Sequence, residues 1–203
     1  MRVALNQGYV YRDRVRPEDA GLGVLAYHVA RFVHSGEAHW RSAIESGAVR
    51  VNGRGTRAEA RLATGDELEF HRPPWCEPDA PLAFTVLLED EHVLAVAKPA
   101  GLQVLPAGPF LEHTLWSLVR RSAAGRHESA PVHRLGRGTS GIVLLGKTAA
   151  ARAALSRQFR ACAPCRTYLG IVRGATFPRS CIARHAIGDV AHGPLRIFVA
   201  RHR

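Results

Sequence analysis

Residues 131–148, PVHRLGRGTSGIVLLGKT, constrain this chain more than any other stretch, because four unbroken apolar residues, Ile142, Val143, Leu144 and Leu145, stand between two glycines. A short apolar run with β-branched members and no polar or small residue reads as a buried strand. The glycines around it also satisfy two nucleotide-binding spellings. Gly136, Gly138 and Gly141 give G-x-G-x-x-G, and Gly141, Gly146, Lys147 and Thr148 give G-x-x-x-x-G-K-[ST]. Such loops work by turning backbone N–H groups toward phosphates at the start of a helix. A strand over residues 142–145 cannot do that, and the dinucleotide glycines should follow a strand, whereas these precede one. A phosphate-loop nucleotide-binding protein stays as the runner-up, because residues 84–90, FTVLLED, can supply an apolar strand that ends in metal-binding carboxylates.

Charge narrows the partners. The formal net charge is +11, from 28 Lys and Arg against 17 Asp and Glu, with 11 histidines besides. A chain of this kind is attracted to polyanions, with salt-sensitive binding. An acidic membrane surface would attract it too. No segment resembles a secretory signal, and no apolar run approaches the ~20 residues that span a bilayer. The expectation is a soluble, cytoplasmic chain with no membrane partner.

Ahead of the central stretch, after an irregular start, residues 21–32 are apolar at helical spacing, and residues 36–47 place Trp40, Arg41 and Ile44 on one helical face. A hairpin signal follows: a short strand over residues 49–52, the turn pair Asn52-Gly53, and residues 64–70 with Gly65-Asp66 before alternating Leu68 and Phe70. A Pro-rich stretch then reads as a linker. The expected organisation is a small helix-helix-hairpin domain over residues 1–72, a linker over 73–82, and a second domain over 83–203. The fold class is α+β.

Three ordered blocks carry a family resemblance that spans roughly residues 84–193. Residues 86–105, VLLEDEHVLAVAKPAGLQVL, resemble the strand, acidic turn, strand and Lys-Pro-x-Gly loop that open the catalytic domain of RluA-type RNA pseudouridine synthases. Residues 131–147 resemble that family's H-R-L-D-x-x-T-S-G motif and its following strand, and residues 165–174, CRTYLGIVRG, its downstream Tyr-containing strand. Residues 34–53, HSGEAHWRSAIESGAVRVNG, are similar to the small RNA-binding domain named after ribosomal small-subunit protein four.

The resemblance implies a mixed or antiparallel catalytic sheet, isomerisation of uridine to pseudouridine in structured RNA (rRNA or tRNA), and no cofactor or metal. It also exposes a departure. Gly136 stands where the family carries the aspartate that attacks the target nucleotide, so that the base can detach, rotate and rejoin through carbon. Covalent catalysis needs a nucleophilic side-chain atom, which glycine lacks. The nearest carboxylates in sequence are Glu128 and Asp189. The retained site residues are Arg134 and Tyr168, the latter as a stacking platform for a flipped base. His133, Arg137 and Lys147, with Arg41, Arg50 and Arg54 of the first domain, are the candidate RNA contacts. Each has a plainer reading: a solvated cation for the arginines and Lys147, a structural hydrogen bond for His133, and a half-buried strand tyrosine for Tyr168. Thr139 and Ser140 are expected to tie the loop to its own backbone through their hydroxyls. A non-catalytic RNA-binding relative is therefore the other alternative. The family's Gly-Arg-x-His-Gln-Ile-Arg segment has no counterpart before Arg203, so the catalytic domain is expected to be incomplete, with an uncovered sheet edge and core.

The cysteines allow a last class. Cys162, Cys165, Cys181 and His185 have permissible zinc spacing. A strand over residues 167–173, directly after the first pair, argues against the site, and no metal is expected.

Overall fold

The computed structural model describes residues 5–161 and 164–171, together with the backbone of two later strands. The amino-terminal half runs β1 (Tyr9–Arg14), α1 (Val24–Arg31), α2 (Glu37–Glu45), β2 (Val49–Val51), β3 (Arg54–Gly55) and β4 (Glu67–Arg72). The strands form an antiparallel sheet in the order β1-β4-β2-β3. Asn52 and Gly53 both have positive φ, 51° and 75°, the paired left-handed geometry of a type I′ hairpin turn. Helix α1 begins at Val24, later than the apolar spacing predicts, because Gly21 is in a left-handed turn at φ 84°. The two helices bury Val24, Tyr27 and His28 from one, and Trp40, Ala43 and Ile44 from the other, in each case one helical face. With Val15, Val49, Leu62 and Leu68 these apolar side chains make a first core. Strand β1 replaces the expected irregular start. It sits at the sheet edge, with four of its six residues exposed, so no apolar period marks it.

The second half runs β5 (Thr85–Glu89), β6 (Val93–Lys98), α3 (Leu115–Ser122), β7 (Ala130–Pro131), β8 (Gly141–Gly146) and α4 (Ala149–Arg160). Its strands are antiparallel in the order β5-β6-β8-β7. The apolar run of the central stretch is β8, an inner strand. Its Val143 and Leu145 pair with Val96 and Leu94 of β6, and all four are fully buried with Leu102, Leu115 and Val119. Burial of each such side chain stabilises the fold by about 1.5–3 kcal/mol. Thr114 caps α3 by accepting from Ser117 N at 3.3 Å, and Thr148 caps α4 by accepting from Ala151 N at 3.1 Å.

The Pro-rich stretch between the sheets is pinned to both sides. Trp75 Nε1 donates to Pro109 O at 2.7 Å. Glu77, buried, accepts from Asn6 Nδ2 at 2.8 Å and from the backbone N–H groups of Leu111, Glu112 and His113 at 2.8, 2.7 and 2.9 Å. Burial pushes its carboxyl pKa up, and these donors more than offset that, holding it below the ordinary value.

The chain divides into two compact units, Met1–Pro164 and Cys165–Arg203. In the second, β9 (Ile187–His192) pairs antiparallel with β10 (Leu195–Ala200). Residues 167–171, expected within a strand, have no ladder partner and no regular structure. The molecule is thus a mixed α/β protein with antiparallel sheets. Among the described residues, no helix is long and apolar enough to cross a membrane.

Candidate active site

The loop of residues 132–140 connects β7 to β8, and it is anchored from beneath by the loop that follows β6. Lys98 ends β6 with 1% of its surface exposed. Its Nζ donates to three backbone carbonyls: Pro99 O and Leu102 O at 2.8 Å, and Arg137 O at 3.2 Å. Burial pushes this ammonium below its ordinary pKa, with no carboxylate contributing. Gly101, at φ 90°, adds its N–H to Arg137 O at 2.8 Å. One carbonyl therefore receives both tethers from the Lys-Pro-Ala-Gly loop.

The glycines of the loop and of β8 fall into two kinds. Gly146 is required by packing, since a Cβ there would lie 2.7 Å from the backbone N of Arg152 in α4. Gly141, at φ 140°, is in backbone territory that side chains avoid. Gly136 has neither constraint. A Cβ there would meet only Thr139 Oγ1, at 3.5 Å, and its φ lies outside the left-handed region. No carboxylate among the described residues lies within 4 Å of that point. The position has room for a side chain and has none.

Around it, the structure brings together four of the expected residues. Arg134 is exposed and makes no hydrogen bond or ion pair with the described residues. Arg137 is exposed and holds its guanidinium 5.3 Å from the Phe110 ring centroid, a cation–π contact. His133 faces inward: Nε2 accepts from Leu144 N at 3.0 Å, and its ring stacks on Phe159 at 4.6 Å. The turn Gly136–Thr139 is closed by Thr139 N donating to Gly136 O at 3.0 Å. Backbone groups thus make the tie expected of the Thr139 and Ser140 hydroxyls.

The other expected residues of the first unit lie elsewhere. Lys147 donates to Glu89 Oε1 at 2.9 Å and Asp90 O at 2.7 Å, and Arg126 also pairs with Glu89. Arg126 first, then Lys147, lowers the Glu89 pKa to about 2. With Lys147 engaged and Gly141–Gly146 a strand, no phosphate loop forms there. Arg41, on α2, pairs with Glu37 at 2.7 Å, and Arg50 and Arg54 are exposed on β2 and β3. Tyr168 belongs to the second unit and is exposed. Cys162, Cys181 and His185 lie outside the described residues, and Cys165 is free and exposed. Lys98 and Phe110 are the site residues that motif reading did not single out. The signal for Lys98 was a lysine closing an apolar strand immediately before Pro-x-Gly.

Residues 92–195, just over half of the chain, match the family model described as RNA pseudouridylate synthase. An RNA pseudouridine synthase of Synechocystis is 36% identical over 87% of this chain and 60% of its own length. RNA pseudouridine synthase 5 of Arabidopsis thaliana is 36% identical over 76% of this chain and 45% of its own. Ribosomal large subunit pseudouridine synthase D of Zymomonas mobilis is 32% identical over 68% and 48%. The chain thus spans about half the length of these curated relatives.

Proposed function

The chain belongs to the RNA pseudouridylate synthase family, and from that premise we propose that it acts on uridine in structured RNA, rRNA or tRNA, without a cofactor. The site is the loop of residues 132–140. Gly136 occupies the position of the family's aspartate, and Arg134 and Arg137 hold the RNA backbone. Residues 1–72 form a small RNA-binding domain that contributes Arg41, Arg50 and Arg54. The observation that carries the reading is the doubly tethered Arg137 carbonyl beneath an open position at Gly136, which supports a preorganised loop without the family's nucleophile.

The same open position favours a second reading, in which the chain binds RNA without chemistry, since no carboxylate among the described residues lies within 4 Å of the Cβ position at Gly136. Pseudouridine formation in a total cellular RNA pool, with the wild type and with Gly136→Asp, separates the two. The expected outcome is RNA binding by both proteins and a large gain in pseudouridine with the variant. RNA binding by both without pseudouridine from either would leave the binding reading alone. Failure of both to bind RNA would sink the proposal.

A further inference from the structure

Away from the Gly136 loop, a cleft of about 630 Å³ opens in the amino-terminal half, walled by strands β1 and β4, helix α2 and the α1–α2 connection. That volume is within the range of roughly 300–1,000 Å³ in which small-molecule sites fall. Its walls are aromatic. Tyr11, 44% exposed, lies nearly parallel to Phe70, with centroids 6.1 Å apart, and Trp40 meets Phe70 edge-on at 5.1 Å. The ring of His28 is 4.8 Å from that of Trp40.

Two polar atoms in this wall have no partner among the described residues. Trp40 Nε1 is a buried donor with no acceptor. His28 Nδ1 is 2.8 Å from Val24 O, so it carries the proton and donates, which leaves Nε2 as an acceptor that no described donor meets. Burial lowers the His28 pKa, consistent with this neutral ring. Asp13, also in the wall, is already satisfied by Tyr27 Oη at 2.9 Å and Arg31 Nε at 2.6 Å, so it offers little to a cation.

We infer that this cleft takes up a single unstacked nucleobase of the bound RNA, stacked on Tyr11, as a contact separate from the Gly136 loop. The inference rests on RNA being the partner. A base is chosen over an apolar peptide because of the wall's chemistry. An aliphatic side chain would leave the His28 acceptor unmet, whereas the edge of a base carries donors for it; the Trp40 donor is too deeply buried to take part. Flat rings accept any base face. Arg72 at the rim, paired with no carboxylate among the described residues, suits a flanking phosphate.

The test combines affinity with mapping. A short fluorescein-labelled single strand of mixed sequence and total ribosomal RNA are titrated against the wild type, Tyr11→Ala and Tyr11→Phe. Ultraviolet cross-links to the single strand are located by peptide mass spectrometry. Tyr11 is exposed, so its replacement should leave the fold intact. The expected result is adducts on Tyr11, Trp40 or Phe70, about tenfold weaker binding with Tyr11→Ala, and binding within about twofold of wild type with Tyr11→Phe. Full affinity in Tyr11→Ala, with adducts only on residues 134–140, overturns the cleft and leaves the RNA reading standing. Absence of binding of either RNA by the wild type overturns both.

Discussion

The two ends of the central stretch are held in opposite ways. At residues 134–140 the loop is tethered through its own main chain, by the Lys98 ammonium and the Gly101 N–H, and the charged ends of Arg134 and Arg137 meet no carboxylate among the described residues. Past β8, Lys147 is closed into a three-member cluster with Glu89 and Arg126. Charge neutralised at one corner is unavailable to a polyanion, and charge left open at the other is available. In a chain of net charge +11, proximity to the motif therefore does not decide which cations can meet RNA. Anchoring through backbone carbonyls is what permits the difference, since it fixes a loop without spending its side chains.

The strongest way to break this contrast is to remove the anchor. Lys98→Met keeps the aliphatic stem and deletes the ammonium, leaving buried carbonyls unmet. The expected loss of stability is about 2–4 kcal/mol, since each unsatisfied buried polar group costs roughly 1–3 kcal/mol. A urea midpoint equal to that of the wild type would mean that Lys98 does not hold the loop. Next in size is Gly146→Ala, which forces a methyl group against the backbone of Arg152. Overpacking of this kind costs about 1–3 kcal/mol, read as a lower midpoint at unchanged slope.

How much of this was legible in the sequence depends on the range of the interaction. Strand β8 could be read because four apolar residues between glycines have one packing solution, and the Asn52-Gly53 hairpin because its turn needs two left-handed residues. Edge strand β1 could not, because YVYRDR buries no consistent face. The engagement of Lys147 by Glu89 was equally hidden, since it joins residues 58 positions apart that become neighbours only once β5, β6 and β8 assemble. His133 was visible as a motif residue, but its stacking on Phe159 depends on where α4 packs. The distinction between Gly136 and Gly146 is also three-dimensional. Both are glycines of one eighteen-residue stretch, and only the position of Arg152 shows which of them the packing requires.

The closed corner has its own signature in acid. The Glu89 carboxyl is held at about 2 against an ordinary 4.5, so its folded pKa is depressed. The stabilisation is fully present above about pH 4.5 and is lost as pH falls toward 2. Glu89→Gln removes it at every pH. The variant should be less stable at neutral pH by about 1 kcal/mol, a partly exposed cluster being discounted for screening. The two unfolding curves should converge as the pH falls below 4. Parallel curves across that range would mean that the Glu89 cluster is not formed in solution.

The smallest effect bears most directly on the site. Gly136→Ala places a methyl group where only Thr139 Oγ1 lies near, at 3.5 Å, on backbone that any residue can adopt. At such positions Gly→Ala stabilises by about 0.4–1 kcal/mol, because it restricts the unfolded chain. The expected change is therefore a slight rise in midpoint, opposite in sign to that of Gly146→Ala, with RNA affinity unaltered. The sign matters more than the size. A destabilisation of more than about 1 kcal/mol would mean that the loop itself demands glycine at 136, and Gly136→Asp could then restore no chemistry. A neutral or stabilised variant means that nothing in the fold requires glycine there.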